Sequence, residues 1–316
     1  MIETDTTTWQ TRMREAEAIS RTESPVRFPV GGDHVFGIFT EPVGPPRGIG
    51  VLLLNAASDR NRVQPRLARR LAALGFHVLR FDYRGFGESS GPSSGSALKH
   101  AVITLATNEE PFGQDLHAAL EELRRRGLDR VVLIGRCFGA RTALLGAQHA
   151  RRLLGIALIS PPLHERGQTE QTMHRWALDE VRHAARPGTL VRVLRGMRDP
   201  RRRQRWMRKL QLAAGQVFRR RRDGADSGWI ATSVVESLRD LVSRDVPVLF
   251  VYGRGSSMYR DFVQLQTGTY REVFDRAGDR ITLAPIDGMP NNLTSLDVQD
   301  AVIDLTIRWV QSSIKG

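Results

Sequence analysis

The sequence predicts an α/β chain built on a mostly parallel sheet with helices on both faces, and three observations carry that. Short apolar, β-branched runs alternate with amphipathic stretches from residue 24 to about 160. Such alternation implies crossover connections between parallel strands. Several runs are apolar throughout, as strands covered on both faces require. A central stretch, 164–243, shows no strand alternation, and the pattern resumes after it.

The elements follow in order. Val26 to Val30 and His34 to Thr40 flank Gly31-Gly32-Asp33, a hairpin signal. Gly48 to Leu54 is a continuous apolar strand. Val63 to Leu74 has helical spacing with arginines on the far side, stopped by Gly75. Phe76 to Phe81 is the next strand, and Pro111 to Arg126 contains an amphipathic helix closed by Gly127. Arg130 to Ile134 is a short strand, Phe138 to Ala150 a helix, and Gly155 to Ser160 a strand. Trp176 to Arg186, Pro200 to Arg219 and Ser233 to Val242 read as helices. Residues 164–243 are therefore expected to form a helical insertion between core segments 1–163 and 244–316. Val246 to Tyr252 and Arg280 to Pro285 restore the sheet, giving eight strands, and Leu296 to Ser312 closes the chain as a helix.

Composition narrows the function classes. At 316 residues, with 41% hydrophobic and 26% charged residues, the chain is of ordinary globular type. No apolar run approaches the roughly 20 residues needed to cross a bilayer. The opening MIETDTTTWQ has no apolar stretch behind a basic one, so a cytoplasmic location is expected. A single cysteine excludes an internal disulfide and a multi-cysteine zinc site. The formal charge is +13, yet only three of the 47 basic residues are lysines, a bias that coding-DNA composition alone can produce. From Glu165 to Ile230, 17 basic residues face 7 acidic ones. This excess suits a solvated helical face, or an acidic partner such as a phosphopantetheine carrier protein or coenzyme A. No zinc-finger, homeodomain or aromatic stacking pattern accompanies it, so nucleic acid is not expected as a partner. Neither a metal-ligand cluster nor a phosphate loop is evident, and no cofactor is expected.

One segment carries chemistry. Val131 to Ala140 reads VVLIGRCFGA: a strand, the turn Gly135-Arg136-Cys137-Phe138-Gly139, then a helix. In that context it resembles the nucleophile elbow of the α/β-hydrolases, G-x-nucleophile-x-G. RFDYRGFGES at 80–89 is similar to the family's segment after the fourth strand. GIALISPP at 155–162 looks like its sixth strand leading into a lid. The resemblance is to the serine-aminopeptidase and thioesterase-like branch. It implies an α/β-hydrolase fold whose helical insertion is a lid.

The resemblance also implies roles. Cys137 takes the nucleophile position, above a helix N-terminus that favours a thiolate, with Arg136 able to add to the effect if it turns inward. The oxyanion hole would use the N–H of Phe138 and one from Asn55-Ala56-Ala57. The family's acid follows the seventh strand as G-x-x-D. Here the loop reads Gly253-Arg254-Gly255-Ser256-Ser257, so Ser256 or Ser257 falls where the carboxylate is expected, and Asp261 lies about one turn into a helix. The family's histidine follows the eighth strand. Here Gly288-Met289-Pro290-Asn291-Asn292 places Asn291 there, and all eight histidines precede residue 184. His164, just beyond Ser160-Pro161-Pro162-Leu163, is the surrogate base on offer. His77 and His117 read as packing or surface positions, and Asp82 as a residue that orders its own loop. Asp59-Arg60-Asn61-Arg62 reads as a solvated loop or a polar substrate contact.

Magnitudes decide what such a site can do. A general base contributes ~10²- to 10⁴-fold, and serine without one is nearly inert. A thiol of pKa about 8.5 is already a few per cent thiolate at neutral pH. Acyl transfer from a small-molecule or carrier-bound thioester through Cys137 is therefore feasible, in a setting such as bacterial specialised metabolism. The alternatives are a non-hydrolytic eliminase, cyclase or epimerase reusing the pocket, a catalytically inactive binding protein, or an ordinary esterase.

Overall fold

The computed structural model describes residues 22–56, 63–91, 112–163, 181, 199, 203–204, 206–207, 230–268, 270–288, 293 and 295–315. Eight strands form one sheet in the order β1-β2-β4-β3-β5-β6-β7-β8. They are β1 (Glu23–Val30), β2 (Asp33–Thr40), β3 (Ile49–Leu54), β4 (His77–Phe81), β5 (Arg130–Arg136), β6 (Arg152–Ile159), β7 (Val248–Gly253) and β8 (Ile281–Ile286). β2 runs antiparallel to β1 and β4, and every other pairing is parallel. The expected hairpin turns at Gly31-Gly32, pairing Val30 with Asp33.

The helices are α1 (Val63–Ala73), α2 (Gly113–Arg125), α3 (Phe138–Leu145), α4 (Thr232–Ser243), α5 (Ser257–Thr267), α6 (Arg271–Ala277) and α7 (Leu296–Ser313). Strand residues point alternately to the two faces, which splits the interior in two. Val131 and Leu133 of β5 join the core beneath α2, α3, α4, α5 and α6. Val132 and Ile134 join the core beneath α1 and α7. Those two helices are also tied at their exposed faces by Arg66–Asp300 and Arg70–Asp304.

Two boundaries differ from the sequence reading. The helix grouped with the insertion, α4, buries Val234, Val235, Leu238 and Leu241 in the larger core. It is a sheet-flanking helix, so the core segment resumes near Ala231 rather than at 244. Its apolar spacing is that of any amphipathic helix, and spacing alone does not say what it packs on. The helix after β5 stops at Leu145, where a 3₁₀ turn, Gly146–His149, takes over. The sequence-predicted helices at 176–186 and 200–219 lie largely outside the described residues, and so does most of the basic stretch. Among the described residues no helix is long and apolar enough to cross a membrane.

Register aligns the strand ends. Leu54 pairs with Gly135, Arg136 with Ile159, Ile159 with Val251, and Gly253 with Ile286. The loops after β3, β5, β6, β7 and β8 therefore leave from one edge of the sheet, where open α/β sheets bind their ligands. His77 begins β4 opposite Gly50, at the other edge, with its Nε2 3.4 Å from the Glu41 carboxylate.

Candidate active site

Cys137 sits between the last residue of β5 and the first of α3, with φ 53° and ψ −120°. A non-glycine residue held there costs about 1–3 kcal/mol and persists only where its surroundings impose it. Those surroundings are visible. A Cβ on Gly135 would lie 2.4 Å from Gly139 O and 2.5 Å from Ala140 Cα. A Cβ on Gly139 would lie 2.4 Å from Asn55 O and 2.5 Å from Leu54 O. The flanking glycines thus let strand, helix and neighbouring loop close on one another. Cys137 N–H donates to Ile159 O at 2.8 Å, while Cys137 O accepts from Ala140 N–H at 3.0 Å and Arg141 N–H at 3.1 Å. Both backbone groups of Cys137 are engaged, and its side chain makes no capping hydrogen bond to α3.

Cys137 as a whole is half-buried. Burial raises its pKa above the ordinary value; the adjacent Arg136 charge and the Phe138 N–H, hydrogen-bonded to the sulfur, pull it down without cancelling that. This corrects the expectation that the helix N-terminus and Arg136 favour a thiolate: desolvation of the charged form outweighs both. Arg136 does turn inward. It is 5% exposed, and burial in turn lowers its own pKa while the Cys137 charge opposes that. The strand's alternation puts Arg136 with Val132 and Ile134 on the face of α1 and α7, away from α3.

Both backbone stretches assigned to the oxyanion hole meet at the elbow. Phe138 N–H points at the sulfur. Asn55 and Ala56 follow β3 directly and are half-buried, with Asn55 O against Gly139. The turn after β7 is built otherwise. Ser256 caps α5, accepting from Tyr259 N–H at 3.1 Å, in an unstrained conformation of φ −82° and ψ 151°. Ser257 is buried as the first residue of α5. Asp261, one turn into α5 as expected, is also buried, and its charge helps burial raise the Tyr252 pKa. Asn291, His164 and the 59–62 loop lie outside the described residues, so their placement beside Cys137 stays a sequence expectation.

Asp82 orders its loop. Its N–H donates to Phe36 O at 3.0 Å, its carbonyl accepts from Ser89 Oγ at 2.6 Å, and its carboxylate fills the space over Gly87. The same loop is anchored by Arg84, which donates from its backbone and from Nε to the buried Asp115 at 2.9 and 2.6 Å. Sequence reasoning missed Arg141, 2% exposed on α3, whose Nη1 donates to Pro162 O at 3.0 Å. Among the described residues no cluster of three or more histidine, cysteine or acidic groups can hold a metal.

A family model described as "Alpha/beta hydrolase family" matches residues 51–292. Similar solved structures include the esterase Pf2001 of Pyrococcus furiosus, 15% identical, at a TM-score of 0.60 with 95% of this chain and 94% of that chain covered. The proline iminopeptidase of Mycobacterium smegmatis is 16% identical, at 0.50 with 90% and 98% covered. DcsB, in complex with its substrate analogue, is 14% identical, at 0.54 with 93% and 100% covered. At such identities the likeness is one of fold. No curated protein sequence matches the chain.

Proposed function

Since the chain belongs to the α/β-hydrolase family, we propose that it is an enzyme acting on an acyl substrate, an ester or thioester, through Cys137. The observation that carries this reading is the backbone of the elbow. A non-glycine residue is held at φ 53° between two glycines that admit no side chain. A non-glycine residue at positive φ is uncommon, and here close approach of strand, helix and loop imposes it.

The raised thiol pKa narrows the substrate class. At neutral pH the resting group is the thiol, so its proton must leave as the S–C bond to the acyl carbon forms. A departing thiolate is about as basic as the attacking one and takes a proton in return, whereas an alkoxide leaving group needs an acid to help it. Activated thioesters are therefore the favoured acyl donors, and His164 is the candidate proton carrier. Phe138 N–H and the Asn55–Ala56 loop stabilise the oxyanion, and Asn291 orients the carbonyl, since an amide donates and accepts hydrogen bonds but takes no proton. The positive charge of residues 164–230 suits coenzyme A or an acidic carrier protein in bacterial specialised metabolism.

The same raised pKa favours a second reading, in which the pocket serves elimination, cyclisation or epimerisation with no covalent intermediate, or binding alone. Turnover of an acyl-thioester panel by wild type and Cys137→Ala separates the two. The first reading expects a loss of more than about 10³-fold in the variant. Unchanged turnover supports non-covalent use of the pocket, and no turnover by either protein supports binding.

A further inference from the structure

Three consecutive carbonyls follow Ser160 out of β6, and each is held by a donor from a different place. Pro161 O accepts from the Tyr252 hydroxyl of β7 at 3.3 Å. Pro162 O accepts from Arg141 Nη1 of α3 at 3.0 Å. Leu163 O accepts from the N–H of Ala231, just ahead of α4, at 2.8 Å. The two prolines have no N–H and a fixed φ, so this stretch is held through its carbonyls. Ser160, before them, sits at φ 50° with its N–H on Val251 O at 2.8 Å. The last of these bonds also joins the two ends of the 164–230 stretch, which makes this segment its stem.

Arg141 connects that stem to the nucleophile. It lies four residues beyond Cys137, and its N–H donates to Cys137 O at 3.1 Å. Its side chain, 2% exposed, spans from α3 to Pro162. The α3 residues around it, Ala140, Ala143 and Leu144, are buried and apolar. A buried cation carries a desolvation cost that leucine or methionine avoids, so packing alone does not explain an arginine here. Among the interactions of the guanidinium is a long, planar donor directed at the Pro162 carbonyl.

We infer that Arg141 is a positioning residue, which registers the Pro161-Pro162-Leu163 segment, and through it Ala231, to the Cys137 elbow. Its catalytic consequence rests on the acyl-transfer reading; its structural consequence does not. The experiment compares full-length wild type, Arg141→Met and Arg141→Lys in two ways. Amide hydrogen exchange at Ala231 should quicken about tenfold in Arg141→Met, with Arg141→Lys between the two. Acylation of Cys137 by a long-chain acyl-coenzyme A should slow about tenfold or more, while alkylation by iodoacetamide, a small reagent that needs only the elbow, stays within about twofold. Should Arg141→Met not fold, Arg141→Lys and Tyr252→Phe, which removes the Pro161 bond alone, carry the same comparison. Unchanged exchange at Ala231 overturns the clamp. Equal slowing of acylation and alkylation overturns positioning, because the elbow as a whole would then be distorted. A wild type that takes no acyl group at Cys137 defeats the acyl-transfer reading, and the exchange result still decides the clamp.

Discussion

The turn after β5 and the turn after β7 leave the same edge of the sheet, and each leads from a strand into a helix. They are built in opposite ways. In the first, Cys137 is forced to φ 53°, its backbone is fully engaged, and its side chain caps nothing. In the second, Ser256 is relaxed at φ −82°, and its hydroxyl is occupied in capping α5. Strain in one turn keeps a side chain available for chemistry, while the other uses its side chain to close a helix. On the proposed reading, this contrast separates a nucleophile turn, held by its surroundings, from a family acid position whose serine serves its own helix.

The largest effect should come from the strained turn. Gly139→Val places side-chain atoms on the Leu54 and Asn55 carbonyls and should cost about 3 kcal/mol or more, read by urea unfolding. A cost under about 1 kcal/mol would mean that the turn is not held by close approach. A second test reads the sulfur. Iodoacetamide alkylation should show a native thiol titrating at higher pH than in the guanidinium-unfolded chain, because burial holds the proton. The sign is set by the raised native pKa. The thiol's contribution to stability is complete below the unfolded pKa of about 8.5 and is lost as pH rises through the higher native value. A native thiol titrating lower would show that Arg136 and the helix N-terminus prevail over burial.

The smallest effects belong to the relaxed turn. Ser256→Ala should cost about 1 kcal/mol in denaturant unfolding through loss of the α5 cap, with Cys137 alkylation unchanged. Ser256→Asp keeps a capping oxygen but places a charge at a buried position, and should cost about 1 kcal/mol. Combined with Asn291→His, it supplies an acid and a base, and simple-ester hydrolysis should rise. A double variant that folds without that gain would show that these loops do not face Cys137.

Which parts were legible in the sequence follows from how local their causes are. The apolar runs of β3 and β7 and the spacing of α1 gave their elements directly, since period and length are properties of the segment itself. The elbow was legible because two glycines, a strand and a helix meet within ten residues. Short, polar α6 carried no such signal, and β6 begins at Arg152, ahead of its apolar run, because Arg152 pairs with Arg130 across the sheet. The burial of Arg141 depends on a carbonyl 21 residues away. The thiol's raised pKa likewise depends on what covers it. Adjacent sequence showed the two effects that lower it and hid the larger one that raises it.

The acyl-transfer reading requires that Cys137 take an acyl group. Its most direct test is the intact mass of the protein after brief incubation with acyl-thioesters, followed by peptide mapping. A mass increase of one acyl group is expected, located at Cys137 and absent in Cys137→Ala. An unmodified Cys137 in protein that is turning the same thioesters over would contradict it.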